Sequence, residues 1–117
     1  MSTVSSVNNQ LLDEAKSVLE SVGFDYLDIG YWSLSGEMTS KDVLLRLEAP
    51  SPVVPYILLS LCEEESGVIE QCFSTVIRPS GTKAYRESVV SQMAAACVNL
   101  ARMRKIQELH EQEISSK

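Results

Sequence analysis

The stretch from Tyr56 to Ile77 reads YILLSLCEEESGVIEQCFSTVI, and its pattern decides the fold. Two runs of β-forming residues, 56–62 and 68–77, are separated by a short polar turn that contains a glycine, which is typical of a β-hairpin. Both runs are too apolar to leave the hairpin bare in water, so we expect the rest of the chain to cover it.

Two turn lengths are compatible with this hairpin, and they place different side chains opposite each other. A two-residue turn at 66–67 puts Glu63 opposite Glu70, which brings two like charges together. A turn that is longer by one residue avoids this pair and puts Leu59 opposite Phe73. We prefer the longer turn, and the covered face that it predicts consists of Ile57, Leu59, Leu61, Phe73 and Ile77.

The opposite face of the hairpin is also apolar, and we call it the second face. If the helices cover one side of the sheet, an exposed apolar face of this kind marks an interface. The alternative is that the C-terminal helix or the N-terminal tail covers it. The pattern assigns to the second face Trp32 or Tyr31, Leu44, Tyr56, Leu58, Ser60, Cys62, Cys72 and Val76.

Helical periodicity predicts one helix before the strands and one after them. Apolar residues at spacings of three and four predict a first helix at about 9–22, after a frayed segment 1–6. The same spacing predicts a long helix from about 82 to 113, whose end, 105–117, is expected to project or fray. The apolar residues expected to contact a partner on this helix are Met103, Ile106 and Leu109.

Two further strands are predicted between the first helix and the hairpin. The aromatic-rich segment Phe24–Leu34 indicates one strand, and the alternating segment Asp42–Ala49 indicates another. Prolines in 50–55 predict an extended connector. The expected fold is a single α+β domain, 1–117, of order α-β-β-β-β-α: a four-stranded antiparallel meander with both helices on one face.

Composition restricts the classes of partner. The 117-residue chain has 16 acidic and 10 basic residues and a net charge of −6. This charge disfavours nucleic-acid phosphates and anionic membrane surfaces, and it suits a basic partner. No apolar stretch approaches the ~20 residues of a membrane span, and the polar start lacks a signal peptide, so a cytoplasmic protein is expected.

The cysteines and the single histidine give no enzymatic or metal-binding pattern. The three cysteines lie within apolar runs, which favours buried free thiols in a reducing compartment. The chain contains no CxxC sequence, and His110 lies in the polar end of the long helix, so neither a zinc site nor a thiol nucleophile is expected. No cofactor is expected, and catalysis is left open but not favoured.

The best local candidate for a ligand site is the loop RPSGTK at 78–83. It lies between the last strand and the long helix, where backbone N–H groups at a helix start can bind an anion. The candidate anion-binding residues are Arg78, Ser80, Gly81, Thr82 and Lys83.

The string Arg-Pro-Ser-Gly-Thr at 78–82 resembles the phosphate-binding loop of the phosphohexomutases. In that family the Arg, Ser, Gly and Thr contact a sugar phosphate. The match covers five residues, and Lys83 and Ala84 follow where the family usually has an acidic residue and a proline. The resemblance supports an anion site and assigns no family; the alternative is an ordinary turn and helix cap.

We therefore expect a small acidic protein that acts by binding a protein partner, with self-association as a homodimer. An accessory or inhibitor protein of the kind that viruses and mobile elements encode fits the size by association alone. One alternative is a phosphate- or nucleotide-binding protein that uses the loop Arg78–Lys83. Another is a structural oligomer assembled through the C-terminal helix.

Overall fold

The computed structural model describes residues 3–34 and 42–115 of the chain, with side chains described as far as residue 111. Within these ranges, five strands pair antiparallel in chain order, from β1 at one edge to β5 at the other. The α+β class and the antiparallel meander are confirmed, but the predicted number of four strands is wrong. The elements are α1 (Thr3–Ser21), β1 (Phe24–Tyr26), β2 (Tyr31–Leu34), β3 (Val43–Glu48), β4 (Ile57–Glu65), β5 (Val68–Ile77) and α2 (Lys83–Ser115).

The fifth strand arises because a tight turn divides the predicted strand at 24–34. The Tyr31 N–H donates to the carbonyl oxygen of Asp28 at 2.8 Å. Ile29 and Gly30 have φ angles of 49° and 80°, which is the geometry of a type I′ hairpin turn. A β-branched residue rarely adopts a positive φ, so Ile29 is counted as a strand former when the sequence is read.

Replacing Ile29 with asparagine is expected to raise the free energy of unfolding by about 1 kcal/mol, because Asn-Gly is the preferred type I′ pair. Ile29 is 75% exposed, so little apolar burial is lost. The matched control is Ile29→Val, which keeps the β-branched side chain and should leave stability unchanged. Urea titration of the two variants measures the effect; equal stabilities for them would refute the expectation.

Both helices lie on one face of the sheet, as predicted. α1 packs on β1 and β4, α2 packs on β3 and β4, and the helices pack on each other. α1 begins at Thr3, so the predicted start near residue 9 is too late, and residues 3–6 are helical. Residues 1–2 and 116–117, the ends of the predicted domain, lie outside the described residues. The helices contribute to the buried core Leu11, Ala15, Val18, Leu19, Val90, Met93, Ala94, Cys97 and Ala101.

The register of the β4–β5 hairpin differs from the preferred prediction. Its turn has two residues, with φ angles of 54° at Ser66 and 82° at Gly67, so Glu63 lies opposite Glu70 after all. The like-charge pair is tolerated because a helix residue, Arg104, binds Glu63 with an N–O distance of 3.0 Å. The longer predicted turn is therefore wrong.

The hairpin also contains a β-bulge, which neither of the two registers predicted from the sequence includes. Gln71 lies opposite Cys62 and Phe73 lies opposite Leu61, so Cys72 has no opposite residue. Phe73 consequently shares the helix-covered side with Leu61, yet it is 59% exposed. It lies on the edge strand, while α2 crosses β3 and β4. The helices therefore do not cover Phe73, and the prediction that it belongs to the core is wrong.

α2 extends beyond the sheet. Its 33 residues correspond to about 50 Å at the rise of an α-helix, and the molecule measures 62 × 27 × 19 Å along its principal axes. Among the α2 side chains described, as far as residue 111, Ala101 is the last buried one, and every side chain from Ile106 to Glu111 is exposed. We call the segment Met103–Glu111 the α2 arm.

Candidate functional site

The second face is the side of the sheet turned away from both helices. Strand alternation and the observed register place on it residues from four neighbouring strands, none of which belongs to the buried core cluster. The members that the register fixes are Tyr31, Leu44, Arg46, Glu48, Leu58, Ser60, Cys62, Ser74 and Val76.

The middle of the second face is closely packed. Leu44, Ser60 and Cys62 are 3%, 1% and 3% exposed, although no helix or strand in the described ranges lies over them. The Arg46 side chain lies across this side of the sheet. Its guanidinium carbon is 5.4 Å from the Tyr31 ring centroid, and one of its Nη atoms is 3.0 Å from a carboxylate oxygen of Glu48.

Two polar atoms on the second face are buried without a hydrogen bond. They are Ser60 Oγ and Arg46 Nε, and neither has a partner among the described residues. A buried donor or acceptor left unpaired costs about 1–3 kcal/mol. An occupant that supplied the missing hydrogen bonds would recover part of that free energy, which makes this face a candidate for binding.

The rim of the second face is more exposed than its middle. Val76 is 41% exposed, and Tyr56 and Leu58 are half-buried. Trp32, which the sequence placed here as an alternative to Tyr31, is 2% exposed and belongs to the core cluster. It lies opposite Leu45 on the helix-covered side, because the turn before β2 sets the alternation so that Tyr31 faces outward.

The α2 arm presents the apolar residues predicted to contact a partner. Met103, Ile106 and Leu109 are 58%, 65% and 54% exposed. Their spacing of three residues keeps them near one side of the helix. A surface helix normally buries its apolar stripe, so the arm is a second candidate surface.

The loop at 78–83 is organised mainly by contacts within the protein. Thr82 Oγ1 accepts a hydrogen bond from the Tyr85 N–H at 3.1 Å, which is an N-cap. The carbonyl oxygens of Pro79 and Gly81 accept hydrogen bonds from Arg86 at 3.1 and 3.0 Å. The loop therefore directs two acceptors at a cation of the protein itself.

Of the predicted anion-binding residues, the structure brings two together. Arg78 and Ser80 line a cavity of about 150 Å³ with Tyr85 and Arg86. Thr82 and Lys83 do not line it. All five predicted residues are exposed, from Arg78 to Lys83. Whether they bind an anion stays a prediction.

Arg86 and Glu14 form a pair that sequence reasoning missed. Arg86 Nε donates to Glu14 Oε1 at 2.8 Å, and Nη2 donates to Oε2 at 3.2 Å. The hydrogen bond to Glu14 raises the pKa of Arg86. This bidentate contact joins α1 to α2 and to the 78–83 loop, and no local spacing could reveal it because the partners are 72 residues apart.

The cysteines differ in environment. Cys62 and Cys97 are buried, and Cys72 is exposed at the bulge. Burial raises the pKa of Cys97 to about 12. Desolvation raises the pKa of Cys72, and its hydrogen bond to Glu63 adds to the increase. The prediction that all three are buried is therefore wrong for Cys72.

Thiol labelling of the native protein at about pH 8 is expected to modify Cys72 well before Cys62 and Cys97, which react only after unfolding, because the reagent must reach the thiolate and Cys72 alone of the three is exposed. Glu63→Gln removes a carboxylate that raises the Cys72 pKa, so this variant should label faster at the same pH. Mass spectrometry after a time course identifies each site. Labelling of Cys97 as fast as Cys72 would contradict the structure.

The described ranges contain neither a metal-binding cluster nor a helix that could span a membrane. No cluster of three or more His, Cys, Asp or Glu side chains there is arranged to hold a metal ion. Within the same ranges, neither α1 nor α2 contains an apolar segment of the length that a bilayer requires.

Comparison of the chain with protein-family models, curated proteins and solved structures finds no match.

Proposed function

We propose that this chain is a small acidic protein-interaction module that binds a protein partner and associates with itself. The binding surfaces are the second face and the α2 arm. The main support is the second face: it has apolar residues and two buried polar atoms without partners among the described residues, Ser60 Oγ and Arg46 Nε, and neither helix lies over it.

Charge supports a basic protein partner. The net charge is −6, and four glutamates, Glu63–Glu65 and Glu70, lie at the β4–β5 turn. Complementary charge accelerates association and selects among partners. In this proposal the protein acts as an accessory or inhibitor protein in a reducing compartment such as the cytoplasm, where the three free thiols would persist.

The phosphate- or nucleotide-binding alternative has less support. In the 78–83 loop, the Thr82 hydroxyl caps α2 and two carbonyl oxygens bind Arg86. A thermal-shift screen with inorganic phosphate and nucleotides tests this alternative. Stabilisation that disappears in Arg78→Ala would favour it over the interaction module.

The interaction module is tested by light scattering and by capture of binding proteins with second-face variants. Leu58→Asp is expected to weaken self-association or capture while circular dichroism stays unchanged. The milder Leu58→Ser covers the case in which the aspartate prevents folding. Val53→Asp is the matched control, because Val53 is 76% exposed in the connector before β4.

A separate variant tests the α2 arm. Ile106→Asp changes a side chain that is 65% exposed, so the fold should be unaffected. Loss of self-association in Ile106→Asp, with none in Leu58→Asp, would favour the structural oligomer assembled through α2. A monomer that captures no protein in either the wild-type or the variant form would refute the proposed function.

A further inference from the structure

The outer edge of β5 is the longest unpaired strand edge of the described chain. β5 has 10 residues, Val68–Ile77, and it pairs with β4 at one side while ending the sheet at the other. An exposed strand edge has free N–H and C=O groups along its length and is a template for pairing with another chain.

After its bulge at Cys72, this edge lacks the charged residues and prolines that protect many natural edge strands. No charged residue or proline occurs between Gln71 and Ile77. Phe73 is 59% exposed on the helix-covered side, and Val76 is 41% exposed on the second face. Apolar side chains therefore line the edge on both faces of the sheet. The bulge at Cys72 leaves residues 73–77 as a regular segment for pairing.

The two ends of this edge carry opposite charges. At its start lie Glu64, Glu65 and Glu70, and beyond its end lie Arg78 and Lys83. Within the described part of the chain, none of these five residues belongs to an ion pair. Two copies of this edge placed antiparallel would set the acidic end of each beside the basic end of the other. A parallel arrangement would instead bring like charges together.

We propose that a second copy of this chain docks on the β5 edge, with the two β5 strands antiparallel about a two-fold axis near Thr75. Such an isologous contact uses the same patch on both copies and closes after two subunits. The two sheets become one continuous sheet. Phe73 then packs beside Ile77 of the second copy, and Arg78 lies near its Glu70.

This inference rests on the self-association part of the proposed function and assigns that self-association to the β5 edge. Leu58→Asp should then weaken capture of a partner and leave the dimer intact. A two-fold axis perpendicular to the sheet leaves the helices of both copies on one side. The second faces of both copies then join on the other side and stay available to a protein partner.

The first test is the mass of the native protein at tens of micromolar by light scattering. The wild type is expected to be a dimer. Phe73→Lys places a charge on each side of the seam, and about a tenfold or larger increase in the dimer Kd is expected. Val53→Lys, an apolar-to-lysine change at a residue that is 76% exposed and lies away from the edge, should leave the mass unchanged.

The second test is cross-linking in a Cys72→Ser background. Opposite residues of antiparallel strands have Cα atoms about 4.5–5.5 Å apart, so Thr75→Cys near the axis should form an intermolecular disulfide when copper–phenanthroline is added as the oxidant. Val53→Cys in the same background is the control. Cross-linking of the two variants to the same extent would indicate random collision and would overturn the inference.

The outcomes separate the two proposals. A wild-type dimer that resists Phe73→Lys and gives no Thr75→Cys cross-link overturns the edge contact and leaves the proposed function in place. A wild-type monomer that still captures a partner overturns the edge contact and the self-association, and it leaves the β5 edge to an extended segment of another protein.

Discussion

Replacing Gly30 with alanine is expected to lower the free energy of unfolding by about 3 kcal/mol, a large share of the roughly 5–15 kcal/mol of a typical domain. Gly30 has a φ of 80°, and a Cβ added there would collide with the carbonyl oxygen of Leu47. Because that oxygen belongs to the backbone of β3, the collision can be relieved only if β2 and the turn before it shift against β3. The shift would strain the 2.9 Å hydrogen bond from the Leu47 N–H to the Gly30 carbonyl.

The matched control for this variant is Gly67→Ala in the β4–β5 turn. Gly67 has a similar φ of 82°, but a Cβ added there has no neighbour within 4 Å. Its replacement should therefore cost about 1–2 kcal/mol, the conformational penalty without the collision. Urea titration of both variants gives the difference. Equal losses of unfolding free energy in Gly30→Ala and Gly67→Ala would show that the collision with Leu47 does not contribute to the loss.

Truncation of Leu59 to alanine is expected to lower the free energy of unfolding by about 3 kcal/mol, because it opens a cavity in a packed core. Leu59 is 0% exposed on the helix-covered side of β4. The contrast is Phe73→Ala, on the same side of the hairpin but 59% exposed, which should cost less than about 1 kcal/mol in the monomer.

Denaturant titration of the two alanine variants, at protein concentrations low enough to dissociate copies, measures this contrast. The register predicted from the sequence places Leu59 and Phe73 opposite each other in the core. If that register were correct, the two alanine variants would lose similar amounts of unfolding free energy. The structure places Leu59 opposite Thr75. A loss for Phe73→Ala as large as that for Leu59→Ala would therefore support the sequence-based register.

Local periodicity was sufficient for much of the fold. The predicted strand at 42–49 contains β3 (Val43–Glu48), because one dry face gives a strong alternation. The long helix is recognisable for the same reason. The type I′ turn was missed because Ile29 is a poor residue for its position, which leaves Asp28 and Gly30 as the remaining local signals.

The hairpin register depended on information from outside the hairpin. The glutamate pair that disfavoured the short turn is accommodated by Arg104 of α2, and the bulge at Cys72 has no clear sequence signal. Within the second face, Leu44, Leu58 and Val76 were placed correctly by alternation. Trp32 was not, because its orientation follows from the missed turn and from the pairing of β2 with β3.

The pairing of α1 with α2 has a consequence for the order in which the chain folds. Each strand pairs with its neighbour in sequence, so the meander can form progressively from short loops, which favours rapid folding. α1 precedes the strands and α2 follows them. The ion pair between Glu14 and Arg86 can therefore form only after α2 has been synthesised. On the ribosome, α1 is available from the start, but the part of the helix-covered side that α2 packs on, over β3 and β4, stays open until α2 has emerged. During that interval a nascent chain is most exposed to aggregation.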